Sequence, residues 1–157
     1  MIEKTNVMRL LDQKRIPYRS HTYIDSDAIS GTDVAAFLGQ DPLRVFKTLV
    51  TIGKSGNHFV FVIPVSQELN LKKAAKSVGE KSVEMIKTKD LLPLTGYVHG
   101  GCSPIGMKKP FITTIDQSAE TLDSFYFSAG KIGYQVEVNL DDIRKILRFQ
   151  TADLVDV

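Results

Sequence analysis

Residues 59–63, Phe-Val-Phe-Val-Ile, form an apolar run with no polar residue to give it a wet side. A strand of that composition needs cover on both faces, because neighbouring side chains point to opposite sides of a sheet. Just before it, Val45 to Ile52 (VFKTLVTI) is rich in β-branched residues, and Lys54-Ser55-Gly56-Asn57 supplies turn residues between the two runs. The pair therefore reads as two strands joined by a turn, with packing layers required on either side. At 157 residues the chain is a single-domain length and can bury a core of that kind.

The rest of the chain supplies the layers. Val7, Leu10 and Leu11 have helical spacing, and Pro17 ends that segment. Tyr18 to Tyr23 reads as a strand. Thr32 is placed to cap a short helix through Val34, Ala35 and Leu38 that Gly39 closes, and Pro42 suits the first turn of another helical piece. Leu71 to Val78 predicts a helix with its lysines outward, followed by a strand at Val83–Ile86 and a helix before Gly96. Further strands are expected at Phe111–Ile115, Ser124–Ser128 and Tyr134–Val138, the last two joined through Ala129–Gly133 as a hairpin. Asp141 and Asp142 open a final helix reaching Ile146 and Leu147, and Ala152–Val155 closes as a strand. Strands outnumber helices and do not alternate with them regularly. The expected fold is α+β: a mixed, largely antiparallel sheet, curled toward a barrel, with helices packed outside, spanning residues 1–157 as one domain.

Charge and cysteine content narrow the setting. A net charge of +2 is too small to announce a nucleic-acid binder but permits a local basic face, with Lys72, Lys73, Lys76 and Lys81 in one group and Lys108 with Lys109 in another. The bland reading of the first group is a solvated helix face. The single cysteine excludes an internal disulfide and fits a reducing compartment. The opening residues lack the apolar core of a signal peptide, and no apolar run is long enough to cross a bilayer; a cytoplasmic protein is the expectation.

Two features carry chemistry. Gly100-Gly101-Cys102-Ser103-Pro104-Ile105-Gly106 packs three glycines, a serine and a proline into one loop, more backbone constraint than a simple turn needs. It reads as a surface presenting main-chain N–H and C=O groups to something small. Lys47 interrupts an apolar strand and shares its side with Val45 and Leu49. An ammonium there must reach water, pair with an anion or lose its proton. An edge lysine whose stem lies on apolar surface is one reading, and a cation held for a ligand is the other. Ser128 ends a strand at a glycine turn, where a capping role competes with a ligand contact. Cys102 has no base nearby in sequence and reads as a small buried residue. His21, His58 and His99 lack metal-ligand spacing, and neither a phosphate-binding loop nor a G-x-S-x-G elbow is present.

Three segments in register resemble one family. Val45-Phe46-Lys47-Thr48-Leu49, Gly96 through Gly106 and Phe127-Ser128-Ala129-Gly130-Lys131 are similar, in order and spacing, to the YbaK/EbsC aminoacyl-tRNA deacylases, and Val62 to Ser66, Leu69 to Lys73 and Val83 to Met85 agree. The resemblance implies a free-standing editing domain that hydrolyses Cys-tRNA(Pro), related to the insertion domain of bacterial prolyl-tRNA synthetases, and a barrel-like fold. It implies that activity depends on Lys47 and that Tyr23, Gly100, Gly101 and Ser128 line the pocket; Phe46, Thr48, Ser103 and Gln135 complete the candidate substrate-binding set. It also implies attack by the substrate's own thiol, with no cofactor or metal. The implied partners are the aminoacylated tRNA acceptor end and prolyl-tRNA synthetase. Cys102, Gln135 (where some members carry an acid) and Ile29-Ser30-Gly31 depart from the family pattern. An alanine-specific deacylase and a non-catalytic binding module are the alternatives.

Overall fold

The computed structural model describes residues 3–156. Its centre is the ladder between β2 (Phe46–Gly53) and β3 (His58–Pro64), antiparallel from Phe46↔Pro64 to Ile52↔His58. β3 carries the continuous apolar run, and the structure uses both of its faces. Val60 and Val62 enter the main core, while Phe59, Phe61 and Ile63 enter a second core beneath α3 (Leu71–Ser77). Each fully buried Val, Ile or Phe stabilises by about 1.5–3 kcal/mol, so neither parity of this strand tolerates a polar residue.

Around this pair a five-stranded sheet forms in the order β4-β2-β3-β5-β8, with β4 at Val83–Met85, β5 at Ile112–Asp116 and β8 at Gln150–Ala152. β5 and β8 add in parallel to β3, whereas β4 is antiparallel to β2. A second sheet, β1 (Arg19–Thr22), β7 (Tyr134–Val138) and β6 (Phe125–Ser128), is wholly antiparallel. The main core lies between the sheets. Phe46 and Val50 meet Phe125, Phe127 and Val136 there, with Val7, Met8 and Leu11 of α1 (Asn6–Gln13) closing one side. The sheets join where Val45 forms a parallel bridge with Tyr126. The curled surface stays open: β1, β4 and β8 remain as edges.

Helices begin where side-chain caps are available. Thr5 caps α1 by accepting the Met8 N–H at 3.3 Å. α2 (Gly31–Leu38) starts two residues earlier than expected, because Ser30, not Thr32, accepts the Asp33 N–H at 3.2 Å; Gly39 closes it at φ 66° as anticipated. α4 runs from Thr88 to Thr95. Other expectations shorten for local reasons. Pro42 lies in a single turn, not a helix, since the Asp41 carboxylate and carbonyl take the Leu43 and Arg44 N–H groups. The last helix, α5 (Leu140–Ile143), ends early, capped by Asn139, and Ile146, Leu147 and Phe149 fold back onto the main core. The final strand is Gln150–Ala152 rather than Ala152–Val155, because Asp116 accepts the Leu154 N–H at 3.0 Å and pulls the chain from the ladder. Val155 makes only an isolated bridge with Leu69. A 3-10 turn at Gln117–Thr121, capped by Asp116, has no counterpart in the sequence reading.

α2 is seated on the sheet junction through Ala35, Val45 and Val65. At its first residue, a Cβ on Gly31 would lie 2.2 Å from Val65 Cγ1 and 2.7 Å from Val65 Cβ. Val65 cannot swing its own Cβ away, so the helix itself must lift. Gly31→Ala is expected to destabilise the protein by about 1–3 kcal/mol, as overpacking does, read as a lower urea midpoint; an unchanged midpoint would contradict this seating.

Candidate functional site

The Val45–Tyr126 bridge does more than join two sheets. It is parallel, so the two strands leave it in the same direction. Lys47 and Ser128 each lie two residues further on, on the faces that carry Val45 and Tyr126, because strand side chains alternate with period two. β4 pairs with β2 only over Thr51–Gly53, so the Lys47 stretch of β2 has β6 as its neighbour on that side. Lys47 is half-buried and has no hydrogen-bond or ion-pair partner among the described residues.

The β6–β7 hairpin gathers the remaining groups. Ser128 Oγ accepts the Gly130 N–H at 3.1 Å, which leaves its hydroxyl proton free. The Gly100–Gly101 pair lies directly on this hairpin turn. A Cβ at Gly101 would stand 3.1 Å from the Ile132 backbone nitrogen, and one at Gly100 (φ +88°) would stand 3.3 Å from Ile29 Cγ2. Only glycine allows that approach and that φ together. The Gly101 N–H is used internally, donating to Val98 O at 3.0 Å, whereas the N–H groups of Gly100 and Cys102 have no partner among the described residues. Tyr23, nearly buried, is tied to the same turn by its N–H to Gly133 O at 2.8 Å. Ile24, Ile29 and Ile132 are 55%, 56% and 41% exposed, which gives the glycine pair an apolar, open rim.

Gln135 lies opposite Ser128 in the ladder and is buried. Its amide makes a reciprocal pair with Gln40: each Nε2 donates to the other's Oε1, at 2.8 and 2.9 Å. A neutral amide pair therefore stands where a carboxylate would add charge. Phe46 and Thr48 point the other way, into the main core. Phe46 is edge-on to Phe125 at 5.0 Å, and Thr48 Oγ1 is buried without a partner. Ser103 is fully buried and its Oγ accepts the Ile105 N–H at 3.3 Å. The structure thus brings Ser128, Gly100, Gly101, Tyr23 and Gln135 around one hairpin end, with Lys47 on the strand beside that hairpin, two residues past the Val45–Tyr126 bridge. The side chains of Phe46, Thr48 and Ser103 are turned inward.

Beside this cluster sits a separate polar network. Glu137 accepts from Ser124 Oγ at 2.7 Å and meets His21 Nε2 at 3.1 Å, with Arg44 Nη2 at 4.0 Å. Burial alone would raise the Glu137 pKa, but the Ser124 and His21 hydrogen bonds outweigh it and hold the carboxyl below its usual value. Serine here bonds the acid directly, so the histidine is not interposed as a serine nucleophile would require. Burial pushes the Cys102 thiol up to about 12, against a smaller opposing hydrogen bond from Thr95. A thiol in that state is not a nucleophile at neutral pH. Among the described residues no three His, Cys, Asp or Glu groups are arranged to hold a metal ion, and no helix is long and apolar enough to cross a membrane.

Residues 25–146 match the family of aminoacyl-tRNA editing domains. The chain belongs to that family. The editing-domain match includes Lys47, the glycine pair, Ser128 and Gln135, and leaves Tyr23 just outside. Over 97% of this chain and 93% of the relative, the sequence is 45% identical to EbsC of Enterococcus faecalis, a protein named as a candidate Cys-tRNA(Pro)/Cys-tRNA(Cys) deacylase. A proline–tRNA ligase of Fervidobacterium nodosum is 26% identical over 92% of this chain, which spans only 27% of that much longer protein. Among solved structures, one titled as a candidate trans-editing enzyme for prolyl-tRNA synthetase has the same fold. It superposes with a TM-score of 0.82 over 99% of this chain and 100% of its own, at 18% identity.

Gln40 and Ile132 escaped the sequence reading, whereas Ile29 is singled out there within Ile29-Ser30-Gly31. Gln40 follows a helix cap and looks like any surface glutamine; only the fold sets it against Gln135. The burial of Cys102 yields a chemical expectation. Iodoacetamide at pH 8 is expected to leave the native thiol unmodified over an hour while labelling urea-unfolded protein fully, as read by intact mass. Rapid labelling of the native form would contradict the buried, protonated thiol.

Proposed function

We propose that this editing domain is a trans-acting aminoacyl-tRNA deacylase that removes cysteine from mischarged Cys-tRNA(Pro), with Cys-tRNA(Cys) as the related substrate. The observation that carries the reading is Lys47: a half-buried cation without a partner among the described residues, on the strand beside the hairpin that carries Ser128, in a chain 45% identical to EbsC. A half-buried cation with no counter-ion among the described residues leaves its charge available to an anionic ligand.

The residues divide the work as follows. The Lys47 ammonium attracts the terminal phosphate and the polarised ester of the aminoacylated ribose. The unpaired N–H groups of Gly100 and Cys102 receive the carbonyl oxygen as it gains charge. The Ser128 hydroxyl donates to the leaving ribose oxygen or to the substrate amine. The isoleucine rim and Tyr23 hold the small side chain against the hairpin. The resemblance to the YbaK/EbsC deacylases supplies the nucleophile: the substrate's own thiol attacks its carbonyl. A carbon–sulfur bond forms, the bond to the ribose 3′-oxygen breaks, and the thiol proton goes to that oxygen; water then opens the resulting thioester. Pre-alignment of such an internal attack is worth several kcal/mol, up to about 7–11 in the best-oriented systems. Cysteine is selected because only it brings the sulfur. The neutral Gln40–Gln135 pair leaves the substrate ammonium without a carboxylate partner. On this reading the protein works in the cytoplasm, with prolyl-tRNA synthetase as the source of its substrate.

Lys47→Ala is expected to lower kcat/KM on Cys-tRNA(Pro) by about 100-fold, the scale of losing one electrostatic stabiliser, while the urea midpoint stays within experimental error. Lys47→Arg is expected to recover part of that loss. Ala-tRNA(Pro) run in parallel is expected to survive. Full activity in a folded Lys47→Ala variant would overturn the role of the lysine, and faster loss of alanine would overturn thiol attack.

A further inference from the structure

A second feature lies at the far end of the five-stranded sheet, where β3, β5 and β8 begin. A cleft of about 690 Å³ opens there between the segment 104–113 and the segment 146–150. Its walls include Lys108, Lys109, Phe111, Ile112, Arg148 and Phe149, and no acidic residue lines it. Lys108, Lys109 and Arg148 are exposed and form no ion pair among the described residues. Phe111 and Phe149 are half-buried, so each keeps part of a ring surface open, and Ile112 is 58% exposed. Arg144 lies over one face of the Phe149 ring at 4.7 Å and is itself paired with Asp141 at 3.7 Å, so it adds no free charge to the margin.

We propose that this cleft binds the phosphodiester backbone of an RNA strand, at a site distinct from the reaction site. Three cations without internal partners, in a cleft free of carboxylates, select a polyanion. Accessible aromatic rings between them offer stacking to bases, the combination that single-strand binding grooves use. The other lysine group singled out in the sequence lacks these properties. On α3, Lys73 is tied to Asp153 at 2.9 Å and to the Val155 carbonyl at 2.8 Å. Lys72 and Lys76 stand on the solvated side of that helix.

The ladder fixes how far the cleft lies from Lys47. Lys47 pairs with Ile63 and Ile112 pairs with Phe59. That is four residues along β3, about 13 Å, and one strand spacing to either side, together about 10 Å. A ligand in the cleft does not touch Lys47. One continuous stretch of chain, from Gly100 through Phe111, runs from the glycine pair to the cleft. The identity of the RNA as the substrate's own acceptor arm rests on the deacylase reading; the binding itself does not.

The test compares three proteins: wild type, Lys108→Ala/Lys109→Ala/Arg148→Ala, and a control, Lys72→Ala/Lys76→Ala/Lys81→Ala, with the same change in charge. The probes are uncharged tRNA(Pro), titrated across a salt series, and two esters: Cys-tRNA(Pro) and a cysteinyl ester of adenosine, too short to reach the cleft. The cleft variant is expected to bind uncharged tRNA about 10- to 100-fold more weakly. Its slope of log affinity against log salt should be shallower by about 2–3, as three lost phosphate contacts require. KM for Cys-tRNA(Pro) should rise, with turnover of the adenosine ester unchanged. Lys108→Ala/Lys109→Ala, which spares the Phe149 side, should show a smaller shift of the same sign. Equal weakening in the control, an unchanged salt slope, or no tRNA binding by the wild type would each overturn the proposal. If neither ester is hydrolysed by the wild type, the deacylase reading fails, while the uncharged-tRNA titration still decides the cleft.

Discussion

The parallel bridge between Val45 and Tyr126 is the contact on which the site depends. It is a single backbone pairing, reinforced by Tyr126 N–H to Arg44 O at 2.9 Å and Val65 N–H to Val45 O at 2.8 Å. Those bonds hold the N-terminal end of β2 between β3 and β6. Without them Lys47 would be a lysine on an unpaired strand edge, free to turn to solvent. With them it lies on a strand held beside the β6–β7 hairpin, whose turn carries the glycine pair. The apolar seat of α2 on Ala35, Val45 and Val65 covers the same junction, so the packing that stabilises the fold also fixes the distance between the two halves of the site.

The loop that presents backbone donors is itself held from behind. Tyr97 donates its hydroxyl to the Ile105 carbonyl, and burial, with the neighbouring Cys102, pushes its pKa up to about 12. Cys102 and Ile105 enter the main core beneath the loop. The loop is thus anchored from within: Gly101 to Ile105 are buried, and Gly100 and Gly106 reach the surface. Pre-organised N–H groups reorient little when charge develops on a carbonyl oxygen, which is where rate enhancement of this kind arises. The apolar isoleucines around the loop lower the local dielectric and strengthen both those dipoles and the Lys47 charge.

Much of this arrangement was legible before the fold. The unbroken Phe59–Ile63 run required two covering layers and received them, because no alternative hides five consecutive apolar residues. Lys47 stood out as a cation within an apolar strand, and the glycine-rich loop as excess backbone constraint. The limits are equally physical. Periodicity assigns a residue to a face but not a face to a neighbour, so the inward turn of Phe46 and Thr48 and the pairing of Gln40 with Gln135 needed the sheet junction to be known. Element ends were misjudged where one side chain redirected the backbone: Ser30 at α2, Asp41 at the turn after it, and Asp116 at the last strand. The two lysine groups looked alike in sequence. Only the structure shows Lys73 of one group tied to Asp153 and the other group beside half-buried aromatic rings.

The central claim is that Lys47 and Ser128 act on one ester because the Val45–Tyr126 register sets them side by side. A double-mutant cycle on kcat/KM for Cys-tRNA(Pro), using Lys47→Ala, Ser128→Ala and the pair, measures that directly. The account predicts strong non-additivity, with a coupling of about 1–2 kcal/mol, as expected for groups that share a substrate and lie in contact range. Losses that add within about 0.3 kcal/mol, the behaviour of distant and independent positions, would contradict it.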